Sequence, residues 1–158
     1  SHLLIISGGQ TGVDRGALDA ALAAGAPCGG YCPAGRRAED GRIPNRYPLT
    51  ETAGSAYRER TLRNVSTADG TLILCPGPPE GGTALTLAAC RALSRPCLVV
   101  DTATAPARGA AERAAGFVAA GRFRCLNVAG PRASEWPVGR RYAFIVVSEL
   151  LRRPPVSP

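Results

Sequence analysis

The stretch Ile5-Ile6-Ser7-Gly8-Gly9-Gln10-Thr11-Gly12-Val13-Asp14-Arg15 constrains this chain more than any other. It begins as a short apolar run, breaks into glycines, and reopens as a helix with Leu18, Ala21 and Leu22 at helical spacing. A buried strand, a tight glycine turn and a helix N-terminus are the parts of an anion-binding site. Glycine lets backbone come close to a ligand, and the first helical turn carries unpaired N–H groups. An ordinary strand-to-helix turn needs only the glycines. Here Gln10, Thr11, Asp14 and Arg15 crowd the same rim, and that points to a ligand site.

The rest of the chain repeats the alternation. Gly25 stops the first helix, and Ala26 to Pro33 reads as a short extended piece bounded by prolines. A long polar connection of mixed charge follows, from Ala34 to about Gly54. Ser55 to Ala68 reads as a helix with Tyr57, Thr61, Val65 and Ala68 on its inner face, and with Arg60 and Asn64 sharing another face four residues apart. Thr71 to Cys75 is a strand. Pro76 to Pro79 turns the chain, and Glu80-Gly81-Gly82-Thr83 opens a helix through Leu93, a second strand–glycine–helix junction with Thr83 as a hydroxyl donor. Cys97 to Asp101 is a strand ending on a carboxylate, at the edge where parallel sheets carry function. Ala107 to Gly121 is a helix, Arg124 to Arg132 a strand and turn, and Val138 to Arg153 the last helix, with Tyr142, Ile145, Val146, Glu149 and Leu150 marking its register. Residues 154–158 read as a frayed, disordered tail.

Continuous apolar strands alternating with helices mean a mainly parallel sheet covered on both faces. The expected fold is therefore α/β: a single-domain, Rossmann-like three-layer α/β/α sandwich over residues 1–153. Right-handed crossovers gather the loops after Ile6, Cys75, Val100 and Val128 at one end of the sheet. Gly8–Arg15, Gly81–Thr83, Asp101 and Asn127–Arg132 then converge on one crevice.

Composition narrows the partners. The 158 residues suffice for one core. The net charge is +7, and all 19 basic residues are arginine, whose forked donors suit phosphate and other oxyanions. Those arginines are scattered among acids and lack an aromatic stacking face, so no nucleic-acid partner is expected. No apolar run is long enough to cross a membrane and the opening residues carry no signal-peptide pattern, so no membrane partner is expected either. His2 is the sole histidine and is given no role. Of the six cysteines, Cys75, Cys97 and Cys125 lie in or beside strand-like runs and Cys90 lies in an alanine-rich helix, as small buried hydrophobes do. Cys28 and Cys32, spaced C-x3-C without a matching pair, do not make a zinc site. A reduced, cytoplasmic protein follows from this cysteine usage.

Assembled, the segments resemble the molybdenum carrier family, a circularly permuted branch of the SLOG superfamily of Rossmann-like proteins. The resemblance rests on Ser7 to Arg15, Cys32-Pro33-Ala34-Gly35-Arg36-Arg37-Ala38-Glu39-Asp40-Gly41, Tyr47-Pro48-Leu49, Arg60-Thr61 with Asn64-Val65, Asp69 to Leu74, Gly81 to Thr86, and Leu126 to Arg132. It implies a cytoplasmic homo-oligomer, a dimer or tetramer, that binds a phosphorylated small molecule in the glycine crevice. The implied ligand is the molybdenum cofactor (molybdopterin), or another phosphorylated pterin or nucleotide. The matching segments and the topology together nominate Gly8, Gly9, Gln10, Thr11, Gly12, Asp14, Arg15, Arg36, Arg37, Glu39, Arg60, Asn64, Gly81, Gly82, Thr83, Asp101, Asn127, Gly130 and Arg132 as binding residues. No catalytic residue and no protein ligand to a metal is assigned.

One departure bears on chemistry. Relatives that cleave nucleoside monophosphates carry a glutamate on the helix after their glycine motif, whereas Thr83 is followed by Ala84-Leu85-Thr86-Leu87. Glycosidic cleavage needs a group to activate water or assist the leaving base. Asp14, Glu39, Asp40 or Asp101 could substitute, but nothing local places them. A carrier is thus the first reading. The alternative is a nucleotide-processing enzyme or a nucleotide-signal sensor.

Overall fold

The computed structural model describes residues 3–153. His2 and the expected tail at 154–158 lie outside the described residues. Strand β1 (Leu4–Ile6) leads into helix α1 (Val13–Ala24) and then strand β2 (Cys28–Gly29). An excursion carries β3 (Tyr31–Cys32), β4 (Arg37–Ala38), β5 (Gly41–Arg42) and β6 (Thr50–Glu51) before helix α2 (Tyr57–Thr67). The chain then alternates through β7 (Gly70–Cys75), α3 (Gly81–Ala92), β8 (Cys97–Asp101), α4 (Ala107–Gly121), β9 (Cys125–Ala129) and α5 (Gly139–Arg152).

Five strands pair in the order β2-β1-β9-β7-β8, all parallel, with Ile5 beside both Cys28 and Leu126, and Ile73 beside both Val99 and Ala129. Helices α1, α4 and α5 cover one face, while α2 and α3 pack together on the other. This is the expected Rossmann-like α/β fold. The period of two in the strands sorts side chains between the faces. Leu72, Leu74, Leu126 and Val128 join Val13, Ala17, Ala110, Ala114, Val146 and Leu150 in the larger core. The second face carries a smaller cluster of Val65, Ala89 and Cys90. Each buried leucine contributes roughly 1.5–3 kcal/mol. Small residues bring the helices close: a Cβ on Gly16 of α1 would collide with the Arg140 carbonyl of α5.

The expected element boundaries hold closely. Gly25 ends α1 in the left-handed conformation at φ 67°, where its N–H reaches the Ala21 and Leu22 carbonyls. Three features differ from the sequence reading. Leu22 is 41% exposed, because α1 buries Val13, Ala17, Leu18 and Ala21 instead. The inner face of α2 is rotated: Arg60, Asn64 and Val65 are buried, while Tyr57 and Thr61 are only half-buried.

The third difference is the polar connection, which folds into a small body. β3 pairs with β6 in parallel, and β4 with β5 as a hairpin. Arg36, 8% exposed at φ 54°, sits at its centre. Its guanidinium donates to the carbonyls of Ile43, Pro44 and Tyr47 at 3.1, 2.8 and 2.8 Å. One arginine thereby satisfies backbone acceptors that no regular ladder reaches. Tyr47 is fully buried beside Leu18, Cys32, Ala38 and Ile43, and its hydroxyl donates to Asp19 of α1 at 2.6 Å. All six cysteines are free thiols, and Cys32, Cys75 and Cys90 are buried.

Candidate functional site

After β1 the chain crosses to the α1 face, and after β7 it crosses to the α3 face. β9 lies between those two strands. A parallel sheet opens a crevice at such a switch point. A cavity of about 260 Å³ occupies it, walled by Gly8, Gln10 and Asp14, by Tyr57, Arg60 and Asn64 of α2, by Gly81, Gly82 and Thr83 of α3, and by Asn127, Gly130 and Arg132. Small-molecule pockets begin at about 300 Å³, so the space suits a phosphate with part of its bearer, the remainder protruding.

The two glycine junctions differ in what they offer. At the first, four backbone donors are already committed: Gly9 N–H to Ser7 Oγ, Gln10 N–H to Asp14 Oδ2, Thr11 N–H to Gln10 Oε1, and Val13 N–H to the Pro131 carbonyl. Its glycines serve packing. Gly12 has φ +82°, and a Cβ there would stand 2.6 Å from the Pro131 carbonyl oxygen. A Cβ on Gly8 would collide with Arg60, whose Nη1 donates to the Gly8 carbonyl at 2.9 Å.

The second junction is open. The Gly81 and Gly82 N–H groups have no acceptor among the described residues, and a Cβ on Gly82 would meet nothing within 4 Å. The positive end of the twelve-residue α3 therefore faces the cavity. Beside it lie Thr83 at 5% exposure and Arg60 at 8%, both lining the cavity. Arg60 Nε and Nη1 donate to the Tyr57 and Gly8 carbonyls, and Nη2 makes no hydrogen bond among the described residues.

Asn64 is spent differently from Arg60. Its amide brackets the Tyr31 backbone, accepting at 2.8 Å and donating at 3.0 Å, and so moors β3 to α2. Asn127 donates to Thr71 Oγ1 at 3.2 Å. Gln10 Oε1 accepts from Thr11 and Glu39 N–H, which leaves its amide donors for the cavity it lines.

Asp14 is the buried carboxylate of the wall, 8% exposed and without an ion pair among the described residues. Burial raises its pKa from 3.8 to about 6, against the opposing pull of Arg60, the Gln10 and Gly8 N–H groups and Arg15. Across the cavity, Arg132 Nε pairs with Glu135 Oε1 at 3.0 Å and with Glu39 Oε2 at 3.4 Å.

Of the nominated residues, Gly8, Gln10, Asp14, Arg60, Asn64, Gly81, Gly82, Thr83, Asn127, Gly130 and Arg132 meet at the cavity. The structure places the others away from its wall. Gly9 and Gly12 are turned into protein contacts. Arg15 is forked onto Asp40 at 2.7 and 2.8 Å, with Nε on the Gly9 carbonyl. Arg36 is the loop's internal donor, and Arg37 stacks over the Tyr57 ring at 4.2 Å. Thr11 and Glu39 form a clamp: Thr11 Oγ1 donates to Glu39 Oε1 at 2.6 Å, and Glu39 accepts from the Ser134 N–H and hydroxyl. Those bonds hold the Glu39 carboxyl below its ordinary range, Ser134 first and Thr11 next. Asp101 accepts from the Gly77 and Ala103 N–H groups, which lower its pKa, and so braces the loop after β7.

Tyr57, Thr86 and Glu135 line the cavity and were not nominated. Thr86 lies one turn along α3 from Gly82, a spacing that could have flagged it. Glu135 sits three residues past Arg132 in an irregular segment, with no motif to mark it.

The profile of the circularly permutated YpsA SLOG family matches residues 5–151. The crystal structure of a protein named putative molybdenum carrier protein, from Syntrophus aciditrophicus SB, superposes with a TM-score of 0.92 at 40% identity over 95% of each chain. No curated protein matches the chain.

Proposed function

The chain belongs to the circularly permutated YpsA SLOG family, and from that premise we propose that its crevice binds the phosphate of the molybdenum cofactor, making the protein a carrier. The observation that carries this reading is the open N-terminus of α3: free Gly81 and Gly82 N–H groups beside Arg60 and Thr83 in one cavity. Backbone donors and a guanidinium on one oxyanion form charge-assisted hydrogen bonds, each worth about 1.5–3 kcal/mol. The likeness to a protein named as a molybdenum carrier supports the choice of cargo. Among the described residues no cluster of His, Cys, Asp or Glu could hold a metal. In this reading the chain's residues would hold the phosphate, and the molybdenum would come with the cofactor's own dithiolene.

The test is to purify the protein from a host that makes the cofactor, then assay molybdenum by mass spectrometry and pterin by fluorescence. Both are expected together, near one per chain. Gly82→Val is expected to keep the wild-type melting temperature and lose both at least about tenfold, as one lost charge-assisted contact implies. Gly12→Val, at positive φ and against the Pro131 carbonyl, is expected to lose the fold instead.

One observation favours the enzymatic alternative. Glu135 brings a carboxylate to the first turn of α3, where the helix has none, with Oε2 3.6 Å from where a Gly81 Cβ would stand. Protein free of molybdenum and pterin that releases base from a nucleoside monophosphate, with turnover abolished by Glu135→Gln, would replace the carrier reading.

A further inference from the structure

Asp14 sits in the wall of the cavity and, among the described residues, makes no ion pair. Its Oδ2 accepts the Gln10 N–H at 3.2 Å, and the guanidiniums nearest to it are engaged elsewhere. Arg15, beside it on α1, is forked onto Asp40, while Arg60 of α2 is held on the Gly8 and Tyr57 carbonyls with Nη2 left over, its charge offsetting only part of the cost of burying Asp14. From α3 the cavity receives no charged side chain, only Thr83, Leu85 and Thr86. From β9 it receives the neutral Asn127, and from the following loop the pair Arg132 and Glu135. The hairpin's Glu39 and Asp40 stand behind Thr11 and Arg15, outside the cavity wall. An oxyanion drawn to Gly81 and Gly82 thus shares one cavity with the buried Asp14 carboxyl. Burial already disfavours the charge on Asp14, and a second anion in the same cavity disfavours it further.

Resting on the reading of this crevice as an anion site, we propose that Asp14 determines its specificity: a bare oxyanion enters only with a proton for Asp14, and an ionised Asp14 selects a ligand that brings it an N–H or O–H donor alongside the phosphate. The inference deepens the assignment, because it asks the occupant for two ends, an anion for α3 and a donor for α1. Burial places the titration of Asp14 at about 6, so both states of the carboxyl are within reach of ordinary buffers.

Sulfate is the probe, since its charge is constant between pH 5.5 and 8. Calorimetric titration of the full chain is expected to show sulfate bound about tenfold more tightly at pH 5.5 than at pH 8. At pH 7, buffers of different ionisation enthalpy should report roughly half a proton or more taken up per sulfate. Asp14→Asn, neutral throughout, is expected to bind at pH 8 as wild type does at pH 5.5, with no proton uptake. Glu135→Gln is expected to retain the pH dependence, whatever it does to affinity. Wild-type binding that is equal at both pH values without proton uptake overturns the inference and leaves the crevice reading standing. So does pH dependence that survives in Asp14→Asn or vanishes in Glu135→Gln. The proton count on wild type decides the matter even if Asp14→Asn does not fold. No sulfate binding by either protein at either pH would bring down the anion crevice and the inference together.

Discussion

A single carboxylate shows how burial sets both a site's chemistry and its cost. Asp14 ionises near 3.9 in an unfolded chain and at about 6 in the fold. Between those values the folded state keeps a proton that the unfolded state has released, so stability falls as pH rises through that window. The penalty is complete above it and absent below about 4. Asp14→Asn keeps an oxygen for the Gln10 N–H and removes the charge. It is expected to be the more stable protein at pH 8 by on the order of 2 kcal/mol, about 4–8 °C in melting temperature, with the advantage gone at pH 4. Thermal denaturation across that range checks it. An equal deficit at both ends would mean that the carboxylate is a structural acceptor and nothing more. Glu39 has the opposite sign. Its pKa is lowered by Ser134 and Thr11, so its contribution is present above the unfolded value and lost as pH falls through the folded one. Glu39→Gln is expected to melt below wild type at pH 7, with the gap closing as pH falls through the acid range. Faster amide exchange at Ser134 than in wild type would localise the loss.

Elements meet in this protein through small residues, and Gly16 is the case with a sharp consequence. Alanine is favoured over glycine in a helix interior by about 1 kcal/mol, so helix propensity alone predicts that Gly16→Ala stabilises α1. The structure predicts the reverse, because the added methyl would meet the backbone of α5 at the Arg140 carbonyl, which cannot rotate aside as a side chain would. Overpacking of this kind costs typically 1–3 kcal/mol. The variant is expected to melt roughly 2–10 °C below wild type, and a rise in melting temperature would show that α5 yields freely. The element scale also explains why the α2 face was misread. By spacing Arg60 and Asn64 share a face apart from Tyr57 and Thr61, yet they are buried, because their hydrogen bonds to Gly8 and Tyr31 are to backbone of distant segments. Only with those partners in place can polar groups be buried without loss.

At the scale of the whole molecule, the sequence by itself determined the architecture. Continuous apolar runs such as Leu72 to Cys75 and Cys97 to Val100 can be buried on both faces only in a parallel sheet, and the breaks at Gly25, Pro76 and Gly130 divide the chain into its alternating units. That pattern is local, and so it was legible without coordinates, as was the convergence of the loops after β1, β7 and β9. Which donors remain free could not be read locally. The glycines of residues 8–12 and of residues 81–82 look alike in sequence, but Ser7, Asp14 and Gln10 fold back onto the Gly9, Gln10 and Thr11 N–H groups, while those of Gly81 and Gly82 have no acceptor among the described residues. Arg15 and Arg36 carry the same guanidinium as Arg60, but Asp40 and the loop carbonyls claim them first. Sequence decides where hydrogen-bonding groups lie along the chain. Tertiary packing decides which of them are satisfied by the protein and which are left for a ligand, because each donor is spent on the first good acceptor the fold brings within about 3 Å.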